Sequence, residues 1–252
     1  DICDWLTKYE TVRNAEYVVN FAAESHVDNS IEDGSPFMHS NVMGVYSLLE
    51  QFKDSSTLTK FVQISTDEVY GDMNDYRGKT SATESFSLKP SSYYSASKAS
   101  ADLLVQSAAR TFGIPYLITR TCNNFGPGQD PEKFLPKIAK CISNGTPVPV
   151  YGDGEQVREW MHVDENVEII YGLMMTAPKN EIYNIGTAYR YSNNDIIQMI
   201  SKVLGKEVNF EYVKDRLGHD RRYALDSNKM FRVLLSQFVP TALDSWIEEE
   251  YA

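Results

Sequence analysis

The feature that most constrains this chain is an alternation of hydrophobic period. Three short apolar runs, "YVVNFAA" (17–23), "KFVQIS" (60–65) and "PYLITR" (115–120), have the length and β-branched content of buried strands. Between them lie two longer stretches with helical spacing, "PFMHSNVMGVYSLLEQF" (36–52), opened by Pro36, and "SYYSASKASADLLVQSAART" (92–111). Strand, helix, strand, helix, strand at this spacing predicts right-handed βαβ units and therefore an α/β fold with a doubly wound parallel sheet. In such sheets ligands bind outside the carboxyl ends of the strands. The segments "FAAES" (21–25), "STDE" (65–68) and "RTCNN" (120–124) all stand there.

Beyond Gly126 the rhythm changes. Prolines 127, 131, 136, 147 and 149 punctuate shorter elements, "YGDGEQVREWMHV" reads as a turn leading into a strand, and "NDIIQMISKVLG" is an amphipathic helix closed by Gly205. The expected organisation is a cofactor-binding domain over 1–125, to which later segments return, and a smaller mixed α/β substrate lobe formed mainly by 126–252. A formal charge of −11 argues against a nucleic acid as partner, because nothing would offset repulsion from the phosphates. No run reaches the roughly 18 apolar residues of a membrane span and no signal peptide opens the chain, so the expected location is the cytoplasm. Three distant cysteines offer neither a disulfide framework nor a metal knuckle and are expected to be buried thiols, and the four histidines lack metal-ligand spacing, so no metal is expected.

Two groups of residues carry chemistry. Tyr94 and Lys98, four apart on a predicted helix, share one face. A tyrosine is a poor base at neutral pH, but an ammonium one turn away favours the phenolate, so the pair can act as a general base. YxxxK alone also arises on ordinary solvated helices; its weight here comes from coinciding with Thr66 and "FAAES" at strand ends. The second group is Asp67 and Glu68, adjacent carboxyls at the end of an apolar strand. They repel, and burial disfavours each anion, so one can stay protonated while the other ionises, giving an acid and a base in one place. The plainer alternative is a helix N-terminus, which favours acidic residues.

With Tyr94, Lys98, Thr66 and "FAAES" in place, the sequence resembles the extended short-chain dehydrogenase/reductase family. That resemblance implies a Rossmann-like fold and NAD, a tyrosine that removes a hydroxyl proton, a Lys98 that also holds the nicotinamide ribose, and a Thr66 that hydrogen-bonds the reacting oxygen. Six segments taken in order, "AAESHVD", "STDEVYG", "YSASKASAD", "NNFGPGQDPEKF", "PVYGDGEQVREW" and "DRLGHDRRYALD", resemble the dTDP-glucose 4,6-dehydratases within it. By this resemblance Asp67 is the acid for the C6 hydroxyl, Glu68 the base at C5 and Tyr94 the base at C4, and the product is a 4-keto-6-deoxy sugar.

The same resemblance assigns binding roles. Asp1, Ile2, Ala22, Ala23, Ser40 and Asn124 match cofactor contacts, as do Tyr94 and Lys98, with Ser25 between cofactor and sugar. Lys133, Phe134, Arg158, Asn193, Arg216 and His219 match contacts to the nucleotide sugar, Asn123 serves the sugar and Tyr151 the base. Read singly, each arginine is equally a surface ion pair, Asn193 a plain N-cap, and Ala22 and Ala23 tight packing of strand on helix. The family resemblance also implies a homodimer, for which the helices over 36–53 and around Tyr94 are candidates.

Three departures stand out. The glycine-rich turn that carries the pyrophosphate in dinucleotide-binding folds is absent, so the first βαβ unit is missing and the chain is expected to be part of a longer protein. "NKMFRVLLSQFVPTALDSWIEEEYA" lacks a Gly-Trp pair, and the stretch from Lys206 to Asp215 is short for the family. The competing readings are a UDP-glucose 4,6-dehydratase, a related epimerase or decarboxylase sharing Tyr94 and Lys98 but without the acid pair, and a binding or structural protein that has lost catalysis.

Overall fold

The computed structural model describes residues 2–3, 14–76, 80–234 and 239–252. In chain order the elements are β1 (Tyr17–Asn20), α1 (Val27–Glu32), α2 (Ser35–Phe37), a π-helical segment (Met38–Met43), α3 (Gly44–Phe52), β2 (Lys60–Thr66) and a 3-10 turn (Asp67–Tyr70). A second 3-10 turn (Met73–Tyr76), α4 (Tyr93–Phe112), β3 (Tyr116–Thr121), β4 (Asn123–Phe125), α5 (Phe134–Asn144), β5 (Val148–Tyr151), β6 (Val157–His162) and α6 (Val163–Thr176) follow. The chain continues through β7 (Glu181–Ile185), β8 (Arg190–Ser192), α7 (Asn193–Leu204), β9 (Phe210–Val213), α8 (Asn228–Leu234) and α9 (Leu243–Tyr251).

The main sheet is parallel, in the order β1-β2-β3-β7, with Val62 opposite Val19 and Leu117, and Thr66 opposite Thr121. β2 and β3 are buried on both faces, as continuous apolar strands of a covered parallel sheet must be. One face packs α3 and α4 through Phe61, Ile118, Leu48 and Val105; the other packs α6 and α8 through Val62, Leu117, Leu173 and Met230. Lys60, 4% exposed, joins the second pair of layers: its Nζ donates to the carbonyls of Met174 at 2.6 Å and Ala177 at 2.5 Å, satisfying the open carbonyl end of α6.

The lobe is built from a three-stranded sheet, β4-β6-β8, and a parallel pair, β5-β9, around a core of Phe125, Leu135, Trp160, Ile196 and Trp246. Three sequence expectations change in detail. The first strand stops at Asn20, because Asn20 turns its side chain inward to Gln63 and to the amide of Ala22. The helix over 36–52 is interrupted by the π segment, which brings Asn41 inward. Among the cysteines only Cys122 is buried, and Cys3 and Cys141 are half-buried.

Candidate active site

β2 delivers the first components. Thr66 ends the strand in extended conformation and its side chain accepts from the amide of Glu68, capping the 3-10 turn that begins with Asp67. The acid pair is therefore both a helix start and a buried pair. Gly71 closes the turn at φ 72°, where a Cβ would also collide with the Lys89 carbonyl, so only glycine fits. Asp67 is 3% exposed and Glu68 half-buried. Burial pushes the Asp67 carboxyl well above the usual range, and the neighbouring Glu68 pushes it further. Burial raises Glu68 only to about 6, since Arg158 and Arg216 pull it back. Asp67 Oδ2 is buried without a hydrogen-bond partner among the described residues, as is Asp102 Oδ1 on α4. The division into one protonated and one ionised group has a geometric basis: the arginines favour the Glu68 anion most.

α4 delivers the second set. A reciprocal cap between Ser92 and Ser95 fixes its start, so Tyr94 and Lys98 project from the first turns over the end of β2. The Tyr94 hydroxyl is hydrogen-bonded to Thr66, and Lys98 Nζ donates to the Ile64 carbonyl at 2.5 Å. The expected depression of the phenol is not what the surroundings give. Burial and then Glu68 push Tyr94 upward, and burial lowers the Lys98 ammonium to about 8.

The lobe supplies the other wall. Ser25, Asn123, Lys133, Phe134, Tyr151, Arg158, Asn193, Arg216 and His219, all anticipated from sequence, line one cleft together with Glu68. Thr66, Asp67, Tyr94 and Lys98 are not on its wall; Thr66 sits behind, between Asp67 and Tyr94. Lys133 reaches Ser25 at 3.4 Å, and Arg216 pairs with Asp28 at 3.1 Å and lies over the Tyr151 ring, so both cations bridge the two sides. His219 Nδ1 is 2.6 Å from Asp215, and Arg158 lies 4.3 Å over the Tyr223 ring. Asn193 is not the cap of α7: Ser192 caps it through Asp195, leaving the Asn193 amide to donate to Gln156 at 3.3 Å.

At the carboxyl end of β1, Ala22 is exposed and Ala23 half-buried, leaving backbone open to a ligand. Ser40 lies half-buried on the π segment, and Asn124 has a buried Oδ1 without a partner among the described residues. Ile2 packs against Gly44 of α3, and Asp1 lies outside the described residues.

Sequence reasoning missed several residues of the site. Asn41 holds the loop after β1, accepting from the Glu24 amide at 2.8 Å and donating to its carbonyl at 3.0 Å and to Ser97 on α4 at 2.9 Å. Tyr223 lies close to Glu68 and donates to Asp220 at 2.8 Å. Asp28 and Trp160 line the cleft. Tyr223, Asp28 and Trp160 sit in segments already singled out for other residues, and nothing local marks Asn41.

Comparison with known proteins agrees with this geometry. The description "NAD dependent epimerase/dehydratase family" matches residues 1–186. The Low-salt glycan biosynthesis protein Agl12 of Haloferax volcanii is 47% identical over 230 residues, covering 91% of this chain and 73% of that protein. A dTDP-glucose 4,6-dehydratase of Streptomyces griseus is 42% identical over 238 residues, covering 93% of this chain and 70% of its own. The crystal structure of DesIV, a dTDP-glucose 4,6-dehydratase of Streptomyces venezuelae with NAD bound, superposes with a TM-score of 0.91 at 38% identity, over 99% of this chain and 76% of that one. With fold, strand-end chemistry and sequence in accord, the chain belongs to the NAD dependent epimerase/dehydratase family.

Proposed function

We propose that this chain carries the active site of an NAD-dependent nucleotide-sugar 4,6-dehydratase that converts dTDP-glucose to the 4-keto-6-deoxy sugar. The observation that carries the reading is the unequal pair at the end of β2: Asp67 held protonated by burial, and Glu68, near 6, ionised at neutral pH. Oxidation of a hexose hydroxyl alone has no use for such a pair; elimination of water needs both members.

Tyr94 takes the proton of the C4 hydroxyl, with Thr66 hydrogen-bonded to the same phenol and able to reach the same substrate oxygen. Lys98 supplies the positive charge that the phenolate needs at that moment, since its surroundings leave the phenol hard to ionise. Once C4 is a ketone, the C5 proton is acidic and Glu68 removes it, while Asp67 gives its proton to the departing C6 hydroxyl. Bound NAD would supply a reversible hydride acceptor for the oxidation at C4 and the reduction at C6. Residues that would hold it are Ala22 and Ala23, Ser25, Ser40, Tyr94, Lys98 and Asn124, with Ile2 at the adenine. The unpartnered Asn124 oxygen and the N–H groups of Lys98 not used by Ile64 suit a polar ligand. Lys133, Arg158, Arg216 and His219, with Asn193, provide donors for the diphosphate, Asn123 and Phe134 border the hexose, and Tyr151 stacks on the base.

A homodimer through α4 and the 35–52 helix fits their solvent faces, where Met43, Tyr46, Leu103 and Phe112 are each more than 40% exposed. No helix among the described residues is long and apolar enough to cross a membrane. A cytoplasmic location, a place in deoxysugar synthesis such as that of rhamnose, and division into 1–125 and 126–252 domains belong to the same reading. The test is to incubate the full-length protein with dTDP-glucose and with UDP-glucose and follow the alkaline absorbance of a 4-keto sugar. Signal with the first substrate supports the reading, signal only with UDP-glucose transfers it to that base, and none with either removes it.

A further inference from the structure

Behind the catalytic groups lies a buried chain of polar contacts that the proposed chemistry does not use. Asp102 stands one turn beyond Lys98 on the same face of α4 and is 0% exposed. Its Oδ2 accepts from Arg120 Nε at 2.9 Å, while Oδ1 is buried without a hydrogen-bond partner among the described residues. Arg120, 2% exposed on β3, donates through Nη1 to the Tyr70 hydroxyl at 2.9 Å, and Tyr70 donates to Asn184 of β7 at 2.7 Å. Tyr70 is the last residue of the 3-10 turn that begins with Asp67 and Glu68. A continuous path thus runs from the helix bearing Tyr94 and Lys98, through Asp102 and Arg120, to the turn bearing the acid pair.

A buried ion pair is poor evidence of stability, because desolvation offsets its attraction. This one has a more specific place: its anion is one turn from a buried ammonium and its cation grips the opposite catalytic element. We propose that Asp102 and Arg120 are positioning residues, which fix α4 against the acid-bearing turn and supply the negative charge that keeps Lys98 protonated. The proposal rests on the reading of Tyr94 and Lys98 as the base pair. The charged and titratable groups around Lys98 are Tyr94 and Asp102 on α4, Asp67 and Glu68 beyond β2, and Arg120 on β3. Asp67 is neutral and the Glu68 anion is matched by Arg158 and Arg216, so Asp102 is the negative group that acts on Lys98. Neutralising it also leaves Arg120 uncompensated, and both changes make Lys98 lose its proton at lower pH.

The test uses the full-length protein with NAD. The alkaline limb of C4 oxidation, read as bound NADH absorbance in single turnovers, should move down by about one pH unit in Asp102→Asn. Asp102→Glu should restore it. Independently of turnover, the pH dependence of Lys98 acetylation by acetic anhydride, read by peptide mass spectrometry, should shift in the same direction. If Asp102→Asn does not fold, the double variant Asp102→Leu/Arg120→Met keeps the volume without either charge and should show a smaller shift of the same sign. A folded variant whose limb and acetylation profile both coincide with the parent's would overturn the proposal. Because acetylation reports Lys98 without catalysis, that outcome is distinct from failure of the base-pair reading, which a fully active Tyr94→Phe would reveal.

Discussion

Asp67 and Asp102 are both buried carboxyls within reach of the seam between β2 and α4, yet their surroundings differ in kind. Asp102 has a guanidinium at 2.9 Å, and that cation has further partners of its own. Asp67 has instead a like-charged neighbour and a long contact from Thr66 at 3.2 Å, while each of the two acids keeps one oxygen without a partner among the described residues. Burial pushes both upward, but only Asp102 has an adjacent cation to restore its anion. The difference teaches that burial alone does not identify a reactive acid. A buried carboxyl matched by a cation holds structure in place, whereas one left unmatched beside a ligand cleft is poised to part with a proton.

The largest effect expected is on the group both acids flank. Tyr94→Phe should lower turnover by about 10²- to 10⁴-fold, the usual worth of a positioned base, and a steady-state rate near the parent's would disprove that role. Next, the two acids should part in stability. Asp102→Leu strands Arg120 and should cost about 3–5 kcal/mol in denaturant melts at pH 7. Asp67→Asn should instead hold or raise stability there. The sign follows from its raised native value: unfolding lets the carboxyl ionise above its ordinary 3.8, which favours the unfolded chain as pH rises and vanishes below that value. Equal losses from both substitutions would erase the contrast.

The pH profile sharpens it further. Glu68 must be ionised to accept a proton, so turnover should rise with pH through about 6; Lys98 must be charged, so turnover should fall above about 8. A flat profile between pH 5 and 9 would separate the reaction from both groups. The smallest effect belongs to the cleft rim. The Arg216–Asp28 pair is partly solvated, so Asp28→Asn should change KM only a few-fold and leave kcat alone; a collapse of kcat would mean that Asp28 takes part in the chemistry.

Much of this was legible in the sequence where one element carried the information. Lys60–Thr66 reads as a buried strand because it is apolar on both faces, and the helix of Tyr94 is found within a residue at each end because Ser92 and Gly113 punctuate it. Tyr94 and Lys98 follow from helical spacing, and the split between Asp67 and Glu68 from adjacency plus burial. What stayed hidden depends on distant partners. The π segment that turns Asn41 toward Glu24 and Ser97 leaves no local mark, since its worth lies in contacts 17 and 56 residues away. Tyr223 reaches Glu68 only once the lobe is folded over β2. The phenol's upward displacement was missed for a similar reason: spacing along α4 brings Lys98 near, but tertiary burial outweighs it. The plainer alternative for Asn193, an N-cap, falls because Ser192, one residue earlier, caps the helix with Asp195 placed to reciprocate.

The account turns on Asp67 as the donor of a proton in the elimination and in no earlier step. A single turnover of Asp67→Asn with dTDP-glucose measures this directly, with bound NADH absorbance reporting oxidation at C4 and mass spectrometry reporting loss of water. The account predicts that NADH forms at close to the parent rate and persists, while loss of water slows by about 10²-fold or more. Loss of water at the parent rate would contradict it.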